Sequence, residues 1–423
     1  MSFIFKVLFF ALFILLVDRY VWAGMRTLIP ERKPLLYRTV AVLYWGYTVV
    51  VLMIILSSLL IPEELLPHGA RSLFFSVVGI PLLGKLLTVF FLSIDDIRRG
   101  VLWVFKSFST QRTATPVKAE SGISSQPTIS RSEFLSRTAM ATGFGLAGTM
   151  FFGILSGAHD YRVRRVKVPL KNLPSKFNGI KILQLSDIHT GSFYNPKAVM
   201  GGVEMALNEK PDIIVFTGDL VNEQTSEVND YIGIFNKLSA PLGVYSVLGN
   251  HDYGDYRAWS SAREKERNFE DMLIAHKSLG WDLLMDENRI ITVDGESIGL
   301  AGVQNWGGGR FAKYGHLDQA LKHMDDLPVK ILLSHDPSHW ELQVRPEYPE
   351  VDLMLAGHTH GMQFGVELPS FRWSPAQYNY KHWAGMYQEE EQYLYVNRGF
   401  GYIGYPGRVG ILPEITVLEL VQA

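Results

Sequence analysis

The sequence predicts N-terminal transmembrane α-helices followed by an α/β domain in which two mixed β-sheets are sandwiched together and flanked by helices. Three observations carry that prediction. The first 158 residues hold four apolar runs of bilayer length. From about Asp160 onward, strand-like runs alternate with amphipathic stretches, and five of those runs end in short blocks of Asp, Asn and His. With 423 residues, the chain has room for a membrane region and one soluble domain of ordinary size.

Residues 3–23, 39–61 and 72–94 are each apolar over roughly 20 residues, the length that crosses a hydrocarbon core as a helix. A fourth run, 139–158, is rich in Gly, Ala, Met and Phe. Lys6, Asp18 and Arg19 lie near the ends of the first run, where long basic side chains reach the interface. Trp22, Tyr44, Trp45 and Tyr47 suit the aromatic belt at the membrane surface. Lys85 lies near the centre of the third run, which reads either as a functional group within the membrane or as a snorkelling lysine.

Basic residues in the short loops set orientation. The first loop holds Arg26, Arg32, Lys33 and Arg38. The third holds Arg98, Arg99, Lys106, Arg112, Lys118, Arg131 and Arg137, whereas the second has Glu63, Glu64 and only Arg71. The first and third loops are therefore expected in the cytoplasm, and everything beyond the fourth run outside it. Arg162, Arg164, Arg165 and Lys167 pull the other way. The expectation is an integral protein of the plasma or inner membrane with an extracytoplasmic soluble domain.

The expected boundaries are three spans within 1–106, a basic linker at 107–138, a fourth span at 139–158 and the soluble domain at 160–423. The linker contains STQRTATPVKAESGISSQPTIS, too poor in apolar residues to order itself. Ser130-Arg131-Ser132-Glu133-Phe134-Leu135 resembles a twin-arginine export signal in which Ser132 replaces the second arginine. That departure leaves an export signal and a plain fourth helix both open.

In the soluble region the runs RVKVPL, IKILQLS, DIIVFTG, VYSVLG, IGLAGV, VKILLS, VDLMLAG, YLYVN and ITVLEL read as strands. Several are apolar without interruption, as when both faces of a sheet are covered. Stretches 196–209, 227–238, 258–279 and 317–325 read as helices between them. A formal net charge of −2 gives no reason to expect nucleic acid as a partner. The absence of cysteine excludes disulfides, thiolate nucleophiles and cysteine zinc sites, leaving Asp, Asn and His to hold any metal.

The five blocks are Asp187-Ile188-His189, Gly218-Asp219, Gly249-Asn250-His251-Asp252, His335 and Gly357-His358-Thr359-His360. Open α/β sheets bind ligands at the carboxyl ends of their strands, where these blocks fall. Asp187 and His189 are two apart and can point to one side. Asp219 follows a glycine, which permits a sharp turn and close approach of backbone to a metal. Its two oxygens can bridge two cations, Asn250 adds a neutral oxygen, and the imidazoles suit Zn, Mn, Fe or Ni. Two such ions roughly 3.5–4 Å apart can share a hydroxide nucleophile and clamp a phosphoryl group for in-line displacement.

The order DxH, GD, GNHD, H, GHxH over 187–360 resembles the full signature of the calcineurin-like metallophosphoesterases, and the apolar runs ahead of it resemble their membrane-anchored branch. The resemblance covers about 178–420, where YVNRGFGYIGYPGRVGILPEITVLEL looks like the closing strands. It implies a first metal held by Asp187, His189, Asp219 and His360, and a second by Asp219, Asn250, His335 and His358, with Asp219 as the bridge. His251 would face the substrate as general acid, and Asp252 would orient His251 through a hydrogen bond. The implied activity is metal-dependent hydrolysis of phosphoester or diphosphate bonds by a metal-bridging hydroxide; the membrane context raises lipid-linked substrates and makes membrane lipids an expected partner.

One alternative within this reading is a UDP-2,3-diacylglucosamine-type diphosphatase of lipid A synthesis, whose substrate is handled on the cytoplasmic face, against the loop charges. Alternatives of other classes are a non-catalytic metal-binding scaffold and a transporter with an appended regulatory domain. Arg310 in a glycine-rich loop is a further phosphate-contact candidate. The aromatic stretch 371–387 reads either as a lipid-accepting surface or as loop packing.

Overall fold

The computed structural model describes residues 3–30, 32–57, 59–60, 74–108 and 130–423. Most of the expected linker, together with Glu63, Glu64, Arg71, Arg112 and Lys118, lies outside the described residues. The chain divides into two compact units, Met1–Phe151 and Phe152–Ala423.

The first unit contains α1 (Phe3–Arg26), α2 (Pro34–Ser57), α3 (Ile80–Phe108, preceded by one π-helical turn) and most of α4 (Arg131–Leu155). Among the described residues, Pro34–Ser57, Phe75–Ser107 and Arg131–His159 are long and apolar enough to cross a membrane. Hydropathy ends the third run at 94, yet α3 continues to Phe108. Arg98 and Arg99 pair back to Asp95 at 2.9 and 3.2 Å, the i,i+3 and i,i+4 spacing that carries the helix across its charged turn into a second apolar stretch, Val101 to Phe105.

Lys85 does not snorkel. Its Nζ lies 2.6 Å from Oδ1 of the fully buried Asp18, and Thr48 donates to the other carboxylate oxygen at 2.5 Å. The Tyr47 ring lies 4.6 Å from the ammonium, and Tyr44 donates to the Asp18 carbonyl at 3.0 Å. Each charge meets its counter-charge and hydrogen-bond partners, the condition under which ionisable groups persist among apolar helices.

The second unit is built on fourteen strands. The first five are β1 (Arg162–Leu170), β2 (Lys181–Leu185), β3 (Ile213–Phe216), β4 (Val244–Ser246) and β5 (Asp282–Leu283). Next come β6 (Glu287–Val293), β7 (Glu296–Gly302), β8 (Lys330–Leu333), β9 (Leu353–Ala356) and the hairpin β10 (Val366–Leu368)–β11 (Phe371–Trp373). The last three are β12 (Gly385–Glu389), β13 (Gln392–Val396) and β14 (Glu414–Gln422).

One six-stranded sheet has the order β1-β14-β2-β3-β4-β5, the other β12-β13-β9-β8-β7-β6. Both are mixed: β2, β3 and β4 run parallel, as do β7, β8 and β9, while β14 against β2 and β6 against β7 are antiparallel.

The uninterrupted apolar strands are explained by burial on both faces. Ile182, Ile213, Val215, Ile331, Leu333, Leu353 and Leu355 meet in one core between the sheets. Their neighbours Leu183, Ile214 and Phe216 face a second core with α5 (Pro196–Asn208) and α6 (Ala262–Leu279), and Leu332 and Met354 face a third. Both helices carry start signals: Asn195 accepts from the Ala198 N–H with Pro196 at the first turn, and Ser261 accepts from the Glu264 N–H. Gly280 closes α6 in the left-handed conformation.

The stretch expected as a helix over 227–238 forms a 3-10 segment, Thr225–Tyr231, and one short turn, Ile232–Phe235. The Glu227 carboxylate accepts from the Asn222 and Glu223 N–H groups, so this polar segment is held by a local side-chain-to-backbone turn. The C-terminal region differs too. Residues 397–413 are not a strand but a loop laid over the strand ends, where Phe400 and Gly401 donate to the carbonyls of Ser186 and Asp187.

Candidate metal centre

All five blocks sit at the carboxyl ends of parallel strands: β2, β3 and β4 of one sheet, β8 and β9 of the other. Packing the sheets face to face brings residues 171 positions apart into contact, since the His358 N–H donates to the Asp187 carboxylate at 2.9 Å. Two clusters result, Asp187-His189-His360 and Asp219-His335-His358, each with its ligand atoms within 4.8 Å of one another.

Asp219 connects them. Its Oδ2 lies 3.5 Å from His189 Nε2 and 3.1 Å from His335 Nε2. His360 Nε2 lies 3.3 Å from Asp187 Oδ1, and His358 Nδ1 lies 3.1 Å from His335 Nε2.

The backbone here is forced. Asp187, His189, Asp219, His358 and His360 all have positive φ, between 49° and 71°. Left-handed backbone costs a non-glycine residue about 1–3 kcal/mol and persists only where the surroundings over-determine it. Gly218, at φ 96°, shows the crowding: a Cβ there would lie 2.5 Å from Gly249 N and 2.8 Å from His335 Nδ1. A Cβ on Gly357 would lie 1.9 Å from Ser186 Oγ and 2.2 Å from Asp187 Oδ2. Only glycine lets the blocks close on each other at these two points.

Each imidazole is oriented from behind. His189 Nδ1 meets the Val221 carbonyl at 3.1 Å and His335 Nδ1 meets the Thr217 carbonyl at 2.8 Å, which turns each Nε2 toward Asp219. His360 Nδ1 lies 3.1 Å from the guanidinium of Arg408, a buried side chain that also donates to the carbonyls of Gly399 and Gly401. His358 Nε2 meets the Tyr380 hydroxyl at 2.7 Å, and the edge of Phe311 packs on the ring. Asn250 Nδ2 donates to the Tyr256 hydroxyl at 2.9 Å.

Burial holds His189 down at about 3 and His358 at about 4, and pushes His360 well below the ordinary histidine value, so these rings are neutral with lone pairs to offer. Burial acts the same way on His335, but the adjacent Asp219 carboxylate outweighs it and raises this ring to about 10. Burial raises Asp187, with Asp219 adding to the effect.

The donor set fits two cations. His189 Nε2, Asn250 Oδ1 and His360 Nε2 are buried with no hydrogen-bond partner among the described residues, a costly state unless a cation accepts their lone pairs. A divalent ion beside Asp219 would take the place of the proton on His335. Nitrogen and oxygen donors without thiolates suit Mn, Zn, Fe or Ni.

His251 stands beside this set. Its N–H donates to Asp219 Oδ1 at 2.9 Å, and its Nδ1 meets the Asn222 carbonyl at 2.6 Å, which leaves Nε2 for a substrate. The ring packs at a tilt against Tyr256 with centroids 4.5 Å apart. The expected hydrogen bond from His251 to Asp252 is not formed, which corrects the role assigned to Asp252. Its carboxylate is saturated by four backbone N–H groups, those of Asp219, Leu220, Val221 and Gly249, at 2.8–3.3 Å. Asp252 therefore shapes the turn that presents Asp219, and the backbone of Asn222 orients His251.

Sequence reasoning missed Asn222, Tyr256, Asp336 and Arg408, and recognised Tyr380 only as part of an aromatic stretch. Asp336, beside the ligand His335, puts Oδ2 at 3.6 Å from His358 Nε2. Its adjacency to His335 was the one available signal; Asn222 acts through its backbone carbonyl, Tyr256 and Tyr380 through hydroxyls, and Arg408 through a guanidinium that reaches His360 from a distant loop. Arg310 is exposed in its loop.

Comparison with known proteins agrees with this geometry. A family model described as "Probable Calcineurin-like phosphoesterase, transmembrane domain" matches residues 1–158, and one described as calcineurin-like phosphoesterase matches 180–362. The chain is 32% identical over 286 residues to the transmembrane protein with metallophosphoesterase domain of Bos taurus, covering 64% of this chain and 60% of that one. It is 31% identical over 300 residues to the uncharacterized metallophosphoesterase YkuE of Bacillus subtilis (strain 168), covering 65% of this chain and 95% of that one. It is 26% identical over 294 residues to the phosphodiesterase YaeI of Escherichia coli (strain K12), covering 69% and 100%. The chain thus spans about 60% of the length of its cattle relative, and nearly all of the Bacillus protein. A strand-end donor set in this order, behind an N-terminal region that matches the transmembrane model, makes the chain a member of the calcineurin-like metallophosphoesterases, in the branch that carries a transmembrane domain.

Proposed function

We propose that this protein is a membrane-tethered phosphoesterase that works with two divalent metal ions, the first held by Asp187, His189, Asp219 and His360, the second by Asp219, Asn250, His335 and His358. The observation that carries the reading is the pair of clusters joined through Asp219, with buried donor atoms that lack a hydrogen-bond partner among the described residues. Two such ions supply a nucleophilic water at neutral pH and neutralise phosphoryl oxygens. The chain's own residues do the rest. Asp219 sets the spacing of the two positions, Asp252 fixes the turn beneath it, and Asn222 holds His251 with Nε2 free. From there a protonated His251 gives its proton to the leaving oxygen. Tyr256, Tyr380 and Phe311 wall the approach and keep bulk water from the phosphoryl group.

The decisive experiment uses the full chain in detergent, stripped and reloaded in turn with Mn, Zn, Fe or Ni, against phosphomonoesters, phosphodiesters, diphosphates and lipid-linked members of each class. Metal-dependent turnover of at least one class is expected. No turnover with any ion, on protein shown by metal analysis to hold two ions per chain, would leave a scaffold.

The substrate is read as a phosphoester or diphosphate borne by a lipid, because the domain is tethered where lipids are concentrated. α1 is read as a fourth membrane span, and the loop charges place the catalytic domain outside the cytoplasm. That side argues against a cytoplasmic lipid A intermediate. A C-terminal alkaline phosphatase fusion should be active and the matching green fluorescent protein fusion dark; the reverse pattern would put the site in the cytoplasm.

A further inference from the structure

The hairpin β10–β11 is built inside out. Its cross-strand pairs are Val366–Trp373, Glu367–Arg372 and Leu368–Phe371. Alternation therefore puts Val366, Leu368, Phe371 and Trp373 on one face and the charged pair on the other. In a domain surrounded by water the charged face of such a hairpin is turned outward and the apolar face inward. Here Val366, Leu368 and Phe371 are exposed and Glu367 is turned inward, while Arg372 stays exposed and reaches back onto the domain. Glu367 accepts from Arg398 at 2.7 Å and from Arg164 at 2.5 Å, and Arg372 donates to the Ala384 carbonyl at 2.6 Å. Leu368 and Phe371 are 58% and 54% exposed, and Tyr378, whose hydroxyl lies 3.5 Å from Trp373 Nε1, is 75% exposed.

The place of the hairpin says what covers that face. At its root, Gly365 donates to the Val409 carbonyl and Val409 to the Gln363 carbonyl, at 2.9 and 2.8 Å. The preceding residue, Arg408, donates its backbone N–H to the carbonyl of Gly153. Gly153 lies within the candidate membrane span Arg131–His159, in the part that belongs to the same compact unit as the hairpin. One residue therefore separates the root of an exposed apolar hairpin from the end of a helix apolar enough for a bilayer. The same root adjoins the loop of the metal centre, since Ser374, which follows Trp373, donates to the carbonyl of Gly361, next to the ligand His360. Met362, in the same loop, is also exposed.

We propose that the apolar face of residues 366–373, with Tyr378, dips into the lipid interface, and that phosphoester headgroups of membrane lipids reach the metal centre past it. Leucine and aromatic side chains on one face of an interfacial element are what binds at the boundary of headgroups and acyl chains. The docking stands on the hairpin alone; the choice of headgroup phosphoesters as substrate class rests on the phosphoesterase reading above.

The chain has no cysteine, so Leu368→Cys gives a unique labelling site. The full chain, labelled there with a polarity-sensitive fluorophore and reconstituted in phosphatidylcholine–phosphatidylglycerol vesicles, should show blue-shifted emission quenched by spin-labelled acyl chains. The same label on Ser278→Cys, at the exposed end of α6, should be quenched only by aqueous agents. Quenching at 368 like that at 278, or a blue shift without acyl-chain quenching, overturns the docking; the latter outcome indicates a second copy or another protein on this face. The double variant Leu368→Ser/Phe371→Ser should lower hydrolysis of a vesicle-borne phospholipid about tenfold or more while leaving p-nitrophenyl phosphate turnover unchanged. Equal rates on vesicles for variant and parent overturn the delivery role. If the parent hydrolyses p-nitrophenyl phosphate but no vesicle-borne phospholipid, the delivery role is overturned; if it hydrolyses no member of the full phosphoester panel, the phosphoesterase reading fails and the quenching result stands by itself.

Discussion

Asp219→Asn is expected to lower metal-dependent phosphoester turnover by more than about 10³-fold, beyond the 10²–10³ that one lost electrostatic stabiliser typically costs. The excess follows from geometry. Asp219 Oδ2 faces His189 in one cluster and His335 in the other, so one substitution weakens both positions. Asparagine keeps an oxygen where Oδ1 accepts from the His251 N–H, and it keeps the backbone N–H that Asp252 holds. The fold is therefore preserved while the bridging charge is lost. The measurement is an initial rate beside metal content per chain. The expected protein is folded, slow and short of metal. Turnover within about threefold of the parent, well inside the range that a lost stabiliser moves, with two ions still bound, would remove Asp219 from the bridging role.

The parts of this molecule that were legible in its sequence are those written in apolar pattern and ligand chemistry. Strands such as Ile213–Phe216 are apolar at every position because Ile213 and Val215 fill the core between the sheets while Ile214 and Phe216 fill the next. That doubling is visible in one dimension, and so is the polar block that ends it. Asp252 was misassigned for the opposite reason. Its four partners are backbone N–H groups, and main-chain donors carry no sequence signature. The same holds for the Asn222 carbonyl behind His251 and for Arg408, which reaches His360 from a loop without strand periodicity. The hairpin β10–β11 was hidden in another way. Two strands of three residues are too short for alternation to rise above chance, and the inward placement of Glu367 emerges only once Arg398 and Arg164 are seen beneath it.

His251→Ala should lower kcat by about 10²–10⁴-fold with little change in metal content, the range expected when one positioned proton donor is removed. The ring is not among the atoms that define either cluster, and its own N–H to Asp219 Oδ1 is a backbone contact that alanine retains. What alanine loses is Nε2, which the bond from Nδ1 to the Asn222 carbonyl leaves free to face a leaving group. The size of the loss should therefore depend on the leaving oxygen. p-Nitrophenolate departs without a proton, so its ester should be slowed least, whereas an alkyl ester, whose alkoxide is a poor leaving group, should be slowed most. If both esters lose rate by the same factor, Nε2 stabilises charge on the phosphoryl oxygens and does not transfer a proton. If neither slows, the proton comes from water, and the position of His251 over Tyr256 serves substrate placement, which a change in KM alone would register.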